Sequence, residues 1–310
     1  MKDMRILVVG ASMGGIKMFP KLVAHITPDM PIATFIVQHI FSGQKSQLAR
    51  ILSNHTQTPI KTAEDGEAIQ AGHIYVSPSD QHLIVKNGHM ALSYGPQENG
   101  SRPSINALFR SAAVSYRQKV IGVLLTGLLS DGAQGMKAIH DCGGATIVQD
   151  PEEAPFDEMP RNALKVTNVD HVALLKEIPA LLADLLNKPV TDNPTPVPIE
   201  LERQVAASLT PLTQIVEQDA SLPNNFQKPT FPVNLDDSLW SVLQYMQERT
   251  TMLENLMESE RIRGRSKLAR DFELRAQESR AHTENLRAHL LELELGHSTT
   301  HIIGSSGLPN

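Results

Sequence analysis

Arg5-Ile6-Leu7-Val8-Val9-Gly10-Ala11-Ser12-Met13-Gly14-Gly15 is the stretch from which the fold is read. Four consecutive branched apolar residues run straight into small ones, the pattern of a buried parallel strand that feeds a tight strand-to-helix turn. Ser12 then stands at the carboxyl end of a strand. Open parallel sheets bind ligands there, and a helix beginning near Ile16 offers unpaired N–H groups to negative charge. Such a turn suits two tasks: cradling a phosphate, or holding a nucleophilic serine beside N–H groups ready for an oxyanion. The dinucleotide fingerprint is broken because Ser12 falls where its second glycine belongs, and no Lys-Ser/Thr pair follows to make a P-loop. A turn that only packs helix on strand is the structural alternative.

Working outward, Ile16 to Ile26 reads as a helix and Ile32 to His39 as a second buried strand that ends in histidine. Ser46 to Ser53 reads as helical. Short strands broken at Asp65-Gly66 and Ala71-Gly72 follow, then a hairpin over His82 to Leu92 that turns at Asn87-Gly88. Arg102-Pro103-Ser104 opens a helix that runs to about Tyr116. Val120 to Gly127 is another apolar strand, and its loop delivers Asp131. A helix to about Cys142, a strand over Ala145 to Val148, and helices near Arg161 to Ala163 and over Val172 to Leu186 complete the alternation. Alternating strands and helices predict a doubly wound α/β fold, a mostly parallel sheet with helices on both faces.

The residues beyond read differently. PVTDNPTPVPIE, ending at Glu200, is a proline-rich linker, and a short helix over about Glu202 to Gln218 follows it. From Asp236 onward Leu, Met, Glu and Arg dominate, with Trp240, Leu243, Met246, Leu253 and Leu256 at helical spacing and a break at Gly264. This predicts a helical hairpin or coiled coil whose stripe is a packed seam. The expected domains are 1–187, a linker over 188–235, a helical module over 236–296 and a flexible tail over 297–310.

The chain has 310 residues, 41% of them hydrophobic, and a formal charge of −6, enough to bury a full core. Its single cysteine, Cys142, excludes an internal disulfide and any multi-cysteine zinc site, and it fits a reducing cytoplasm. No stretch approaches the roughly 18 apolar residues of a membrane span, so a cytoplasmic protein without membrane insertion is expected. The mild acidity argues against nucleic-acid binding, and the locally basic Arg261 to Arg270 reads as a solvated helix connection.

Three polar groups stand at strand ends. An acyl-transfer serine needs a base within hydrogen-bond reach and a carboxylate to orient that base; Ser12, His39 and Asp131 each end a strand over one crevice. Gly10-Ala11-Ser12-Met13-Gly14 carries the letters G-x-S-x-G, although the order Ser, His, Asp is not that of the nucleophile-elbow hydrolases. Asp150 also follows a strand and is the other carboxylate to consider; its Asp-Pro pair reads as a turn. His73, His82 and His89 have no acidic or cysteine partner at metal-ligand spacing and read as surface residues.

Those blocks, together with Val37-Gln38-His39, Gly72-His73-Ile74-Tyr75-Val76-Ser77-Pro78, Arg102-Pro103-Ser104-Ile105-Asn106-Ala107-Leu108-Phe109-Arg110 and Leu125-Thr126-Gly127 with Ser130-Asp131-Gly132-Ala133, resemble the catalytic domain of the chemotaxis protein-glutamate methylesterases (CheB) over roughly residues 5 to 186. The resemblance implies a serine hydrolase that removes methyl esters from methylated glutamates of chemoreceptor helices, with deamidation of receptor glutamines as a companion activity. It casts Ser12 as nucleophile, His39 as general base and then acid, and Asp131 as the orienting carboxylate. The Met13 N–H becomes part of an oxyanion hole, and Arg102 and Arg110 a substrate-facing wall. It implies no cofactor.

Three departures stand out. The family's usual receiver domain is expected to be missing, since the chain starts at the catalytic strand. Stand-alone relatives carry helical modules often preceded by a cysteine-bearing metal ribbon, and here the corresponding residues hold no cysteine, so no metal is expected. Leu128 and Leu129 stand where small or flexible residues such as glycine are common. The C-terminal helices are expected to serve other chemotaxis signalling proteins or self-association. Two other functions fit the sequence: a catalytically weak scaffold of the same fold, and a small-ester hydrolase unconnected with chemotaxis.

Overall fold

The computed structural model describes residues 4–39, 46–99, 101–190 and 195–209, and between 250 and 284 residues 250, 254, 257, 258, 261, 262, 264–267, 269, 270 and 272–284. β1 (Arg5–Ala11) is buried along its whole length, and so are β2 (Ile32–Gln38) and β7 (Val120–Leu124) on either side of it. Both pair with β1 in parallel, Leu7 facing Thr34 on one side and Ile121 on the other. Branched side chains favour this pleated, doubly covered setting.

The period of two divides the strand residues between two cores. Ile6, Val8, Phe35 and Val37 pack on one face of the sheet, beneath α3 (Ile105–Tyr116), α4 (Ala133–Asp141) and α5 (Glu158–Val166). Leu7, Val9, Ile32 and Ile36 pack on the other, beneath α1 (Gly15–Val23), α2 (Leu48–Ser53) and α6 (Ile178–Asn187). The sheet has seven parallel strands in the order β3 (Ile60–Thr62), β4 (His73–Val76), β2, β1, β7, β8 (Ala145–Gln149), β9 (His171–Ala173). The chain builds leftward from β1 through β4 and then rightward through β9. Reversal beside β1 leaves a crevice at its carboxyl end, the switch point of a doubly wound sheet.

Between the halves lies the antiparallel hairpin of β5 (His82–Lys86) and β6 (His89–Ser93), which turns at Asn87 and Gly88. Both have positive φ, 51° and 81°, the requirement of the tight turn that matches strand twist.

Three expectations are corrected. Val172 lies in a seventh strand, not a helix: β-branched Val172 pairs with Val148 at the sheet edge, and α6 starts only at Ile178. The short helix after the linker starts at Ile199, not Glu202, as α7 (Ile199–Ser208), and it packs against α3. His82 is fully buried: β5 is covered on both faces over His82 to Val85, and both ring nitrogens find partners there.

The residues from 250 to 284 belong to a second compact unit. Its described residues are helical on both sides of a turn at Gly264; Thr250 Oγ1 meets Ser279 Oγ at 2.9 Å and Glu254 pairs with Arg280. Trp240, Leu243, Met246, Leu253 and Leu256, the end of the short helix beyond 209, and the tail lie outside the described residues. No helix among the described residues is long and apolar enough to cross a membrane.

Candidate active site

Ser12 leaves β1, His39 leaves β2, and Asp131 follows β7 one turn before α4, so three adjacent strands deliver them to one crevice. Backbone hydrogen bonds fix the first two: Ser12 N–H donates to Thr126 O at 3.0 Å, and His39 N–H to Ala11 O at 3.3 Å. Ser12 Oγ lies 3.0 Å from His39 Nδ1, and His39 Nε2 lies 2.7 Å from Asp131 Oδ2. The series is unbroken.

The tautomer follows from the carboxylate. Asp131 is 1% exposed, and burial alone would push its carboxyl up. The hydrogen bond and charge of His39 and the N–H groups of Ile105 and Asn106 outweigh that penalty and hold it below the ordinary carboxylate range. Ile105 N donates to Oδ2 at 2.7 Å; Asn106 N, Gly132 N and Ser104 Oγ all donate to Oδ1 at 3.0 Å. A helix N-terminus is suited to this anion, since its first N–H groups have no partner within the helix. An ionised Asp131 only accepts, so Nε2 carries the proton and Nδ1 presents a lone pair to the Ser12 hydroxyl.

Close approach makes this geometry attainable. A Cβ on Gly10 would overlap Ile105 Cγ2, so the missing side chain lets the start of α3 settle against β1. A Cβ on Gly127 would come 2.8 Å from Ser12 Cβ and would also overlap Met159 Sδ. Beyond Ser12 the N–H groups of Met13 and Gly14 have no acceptor among the described residues. Two free donors beside a hydroxyl are what a developing oxyanion needs.

The two arginines read from the sequence are both engaged by groups of the chain itself, Arg102 partly exposed and Arg110 buried. Arg102 donates to Asp80 Oδ1 at 3.0 and 3.1 Å and to the carbonyls of Tyr94 and Gly95. Arg110 is 6% exposed and paired with Glu98, so its place on a substrate-facing wall is not what the structure presents. A buried guanidinium without a carboxylate partner would be costly, which explains the pairing of Arg110 with Glu98. Asp150 stays apart from this series; its Oδ1 accepts from Glu152 N at 2.9 Å, the turn role read from its sequence.

Several residues of the site were not singled out in the sequence. Gln38 Nε2 donates to Ser12 O at 2.8 Å and His39 O at 3.1 Å, tying the hydroxyl segment to the imidazole segment. Asn106 Oδ1 accepts from Gly132 N and Gly135 N and pins the loop that carries Asp131. Asn99 Nδ2 lies 3.4 Å from Asp131 Oδ1, and Ser101 Oγ lies 3.5 Å from His39 Nδ1. A lone polar residue in an apolar first turn was the available signal for Asn106; none pointed to Asn99.

Among the described residues no group of three His, Cys, Asp or Glu side chains has metal-binding geometry. His73 Nδ1 and His89 Nδ1 each lie 3.1 Å from a carbonyl two residues before them, and burial holds His82 below the ordinary imidazole range.

A parallel α/β sheet with a hydroxyl, an imidazole and a buried carboxylate in series at its switch point defines a protein built like a serine hydrolase. The particular family follows from the comparisons: residues 7–182 match the model of the CheB methylesterase family, and the chain belongs to that family. It is 41% identical over 180 residues to a Leptospira interrogans protein named "Putative protein-glutamate methylesterase/protein-glutamine glutaminase", covering 58% of this chain and 93% of that one. It is 37% identical over 180 residues to protein-glutamate methylesterase/protein-glutamine glutaminase 2 of Anaeromyxobacter dehalogenans, covering 58% of this chain and 53% of that protein. The match therefore spans about half the length of this second relative. The crystal structure of the Thermotoga maritima CheB methylesterase catalytic domain superposes with a TM-score of 0.56 at 31% identity, over 59% of this chain and 98% of that one.

Proposed function

We propose that the chain is a cytoplasmic protein-glutamate methylesterase acting on methylated chemoreceptor helices, with Ser12, His39 and Asp131 as its catalytic residues. The observation that carries the reading is the unbroken series of hydrogen bonds from Ser12 Oγ through His39 to Asp131, with the Met13 and Gly14 N–H groups next to Ser12 left without an acceptor among the described residues. Ser12 Oγ attacks the ester carbonyl as its proton passes to His39 Nδ1. The oxyanion forms against the Met13 and Gly14 N–H groups. Collapse breaks the bond to methoxide, which takes the proton from His39 and leaves as methanol, and a glutamyl-Ser12 ester remains. Water then attacks that ester, giving its proton to His39, and glutamate is released as Ser12 regains its own. Asp131 stays ionised throughout and stabilises the imidazolium. A glutamine side chain could follow the same course with ammonia leaving, in keeping with the double name of the relatives.

The test is methanol release from methylated chemoreceptor fragments by the wild type beside Ser12→Ala and His39→Ala. Activity in the wild type and losses of about a thousandfold or more in both variants support the reading. A folded wild type that releases nothing from any methylated receptor would overturn it.

A further inference from the structure

Two residues beside the His39–Asp131 pair, Asn99 and Ser101, come from a strap between β6 and α3, described over residues 94–99 and 101. Glu98 and Ser101 exchange backbone hydrogen bonds of 3.2 and 2.9 Å, and Asn99 stands beside Asp131 and Ser101 beside His39. The strap is fastened from below. Arg102 holds the Tyr94 and Gly95 carbonyls, and His82 Nε2 donates to Pro96 O at 2.9 Å.

A further fastening comes from α7, which lies beyond residues 7–182 of the family match. Ser208 at its last turn places Oγ 3.2 Å from Glu98 Oε1 and 3.5 Å from Arg110 Nη2. The Ser208 carbonyl also sits against Gly95, so closely that a Cβ there would come 2.8 Å from its oxygen. Arg110, buried, has Glu98 as its ion-pair partner, and its Nε finds no partner among the described residues. A buried charge held by one carboxylate makes the junction sensitive to where that carboxylate sits.

We infer that Glu98, Arg110 and Ser208 are positioning residues for this site: by seating α7 on the strap they hold Asn99 and Ser101 over Asp131 and His39 and keep water from the hydrogen bond between them. Its meaning for catalysis rests on the esterase reading; the positioning itself does not. α7 thereby becomes part of the site, a wall supplied from outside the matched domain.

Gly95→Val in the full chain tests this, because the new side chain would push the end of α7 away while touching none of Ser12, His39 and Asp131. The readout needs no substrate: exchange with water of the Nε2 proton that His39 donates to Asp131, followed by its downfield proton resonance. Exchange is expected to quicken by about tenfold in Gly95→Val, by as much in Asn99→Ala/Ser101→Ala, and no further when all three are combined, the mark of a shared route. Ser208→Ala, which adds no bulk, should move exchange in the same direction and guards against misfolding of the valine variant. Unchanged exchange in both variants, or effects that add, would overturn the inference. An inactive wild type with the expected exchange pattern would remove only the esterase reading, and an active one with unchanged exchange only the positioning role.

Discussion

Ile105 N–H, at the first residue of α3, donates to Asp131 Oδ2 at 2.7 Å, on the same oxygen that receives His39 Nε2 at 2.7 Å. The start of a helix and the imidazole thus share one carboxylate oxygen. Against the cost of burial, His39 first and then the helix N–H groups keep the carboxylate ionised, and the ionised carboxylate fixes the histidine tautomer. Stability and chemistry meet in that atom.

Asp131→Asn separates them. An amide offers one oxygen where the carboxylate offered two, so either Ser104, Asn106 and Gly132 lose their acceptor or His39 and Ile105 lose theirs together; turnover should fall by about 10³ to 10⁴-fold. The folded carboxyl is held below its ordinary value, so its stabilisation is present above the unfolded pKa and is lost as pH falls through the folded one. Urea unfolding should show the wild type more stable than Asp131→Asn at pH 6, with the gap closing below about pH 4. A gap independent of pH would contradict the assignment.

Gln38→Leu should divide activity from stability in a different way. The side chain is buried, its Nε2 bridges the Ser12 and His39 carbonyls, and its Oε1 has no partner among the described residues. Leucine loses the bridge but also removes an unsatisfied acceptor, so unfolding should shift by no more than about 1–2 kcal/mol. Freed of their tie, the Ser12 and His39 segments drift apart by fractions of an ångström, and kcat should drop by about 10–100-fold with little change in KM. Equal kcat in variant and wild type would show that the bridge positions nothing.

Much of this was legible in the sequence because it depends on local chemistry. The run Ile6 to Val9 reads as a buried strand from its branching, Asn87-Gly88 as a hairpin turn, and Ser12, His39 and Asp131 as strand-end groups from the runs before them. What was not legible depends on distance along the chain. His82 looks like one of three surface histidines until Pro96 and Ser104 are brought to its two nitrogens. Arg110 looks free to meet substrate until Glu98 and Ser208 close on it. A three-residue strand such as β9 is too short to show its period, and its pairing with β8 decides its conformation.

The thiol of Cys142 should be inert in the folded protein. It is fully buried at the end of α4, and burial, with the charge of Asp141, pushes its pKa up to about 11. At pH 8 almost none of it is thiolate, the reactive form. Labelling by a disulfide reagent at pH 8 should be at least about a hundredfold slower in the native protein than in denaturant. Equal rates would place the thiol at the surface.

Leu129 gives the sharpest test of the loop that carries Asp131. Its φ is +67°, the left-handed region, at a place where the family resemblance led us to expect small or flexible residues such as glycine. Two groups of α5 hold it there: Glu158 Oε2 accepts from Leu129 N at 2.8 Å, and Asn162 Nδ2 donates to Leu129 O at 2.7 Å. A side chain in this conformation costs about 1–2 kcal/mol, a cost glycine does not carry. In ordinary backbone, glycine is less stable than alanine by roughly 0.5–1 kcal/mol. Here the order should reverse: Leu129→Gly should unfold at higher urea than Leu129→Ala, by about 1 kcal/mol, because alanine loses the leucine packing yet keeps the strained Cβ. If the alanine variant proves the more stable, the Glu158 and Asn162 clamp does not hold Leu129 left-handed in solution, and Asp131 reaches His39 on a loop of different shape.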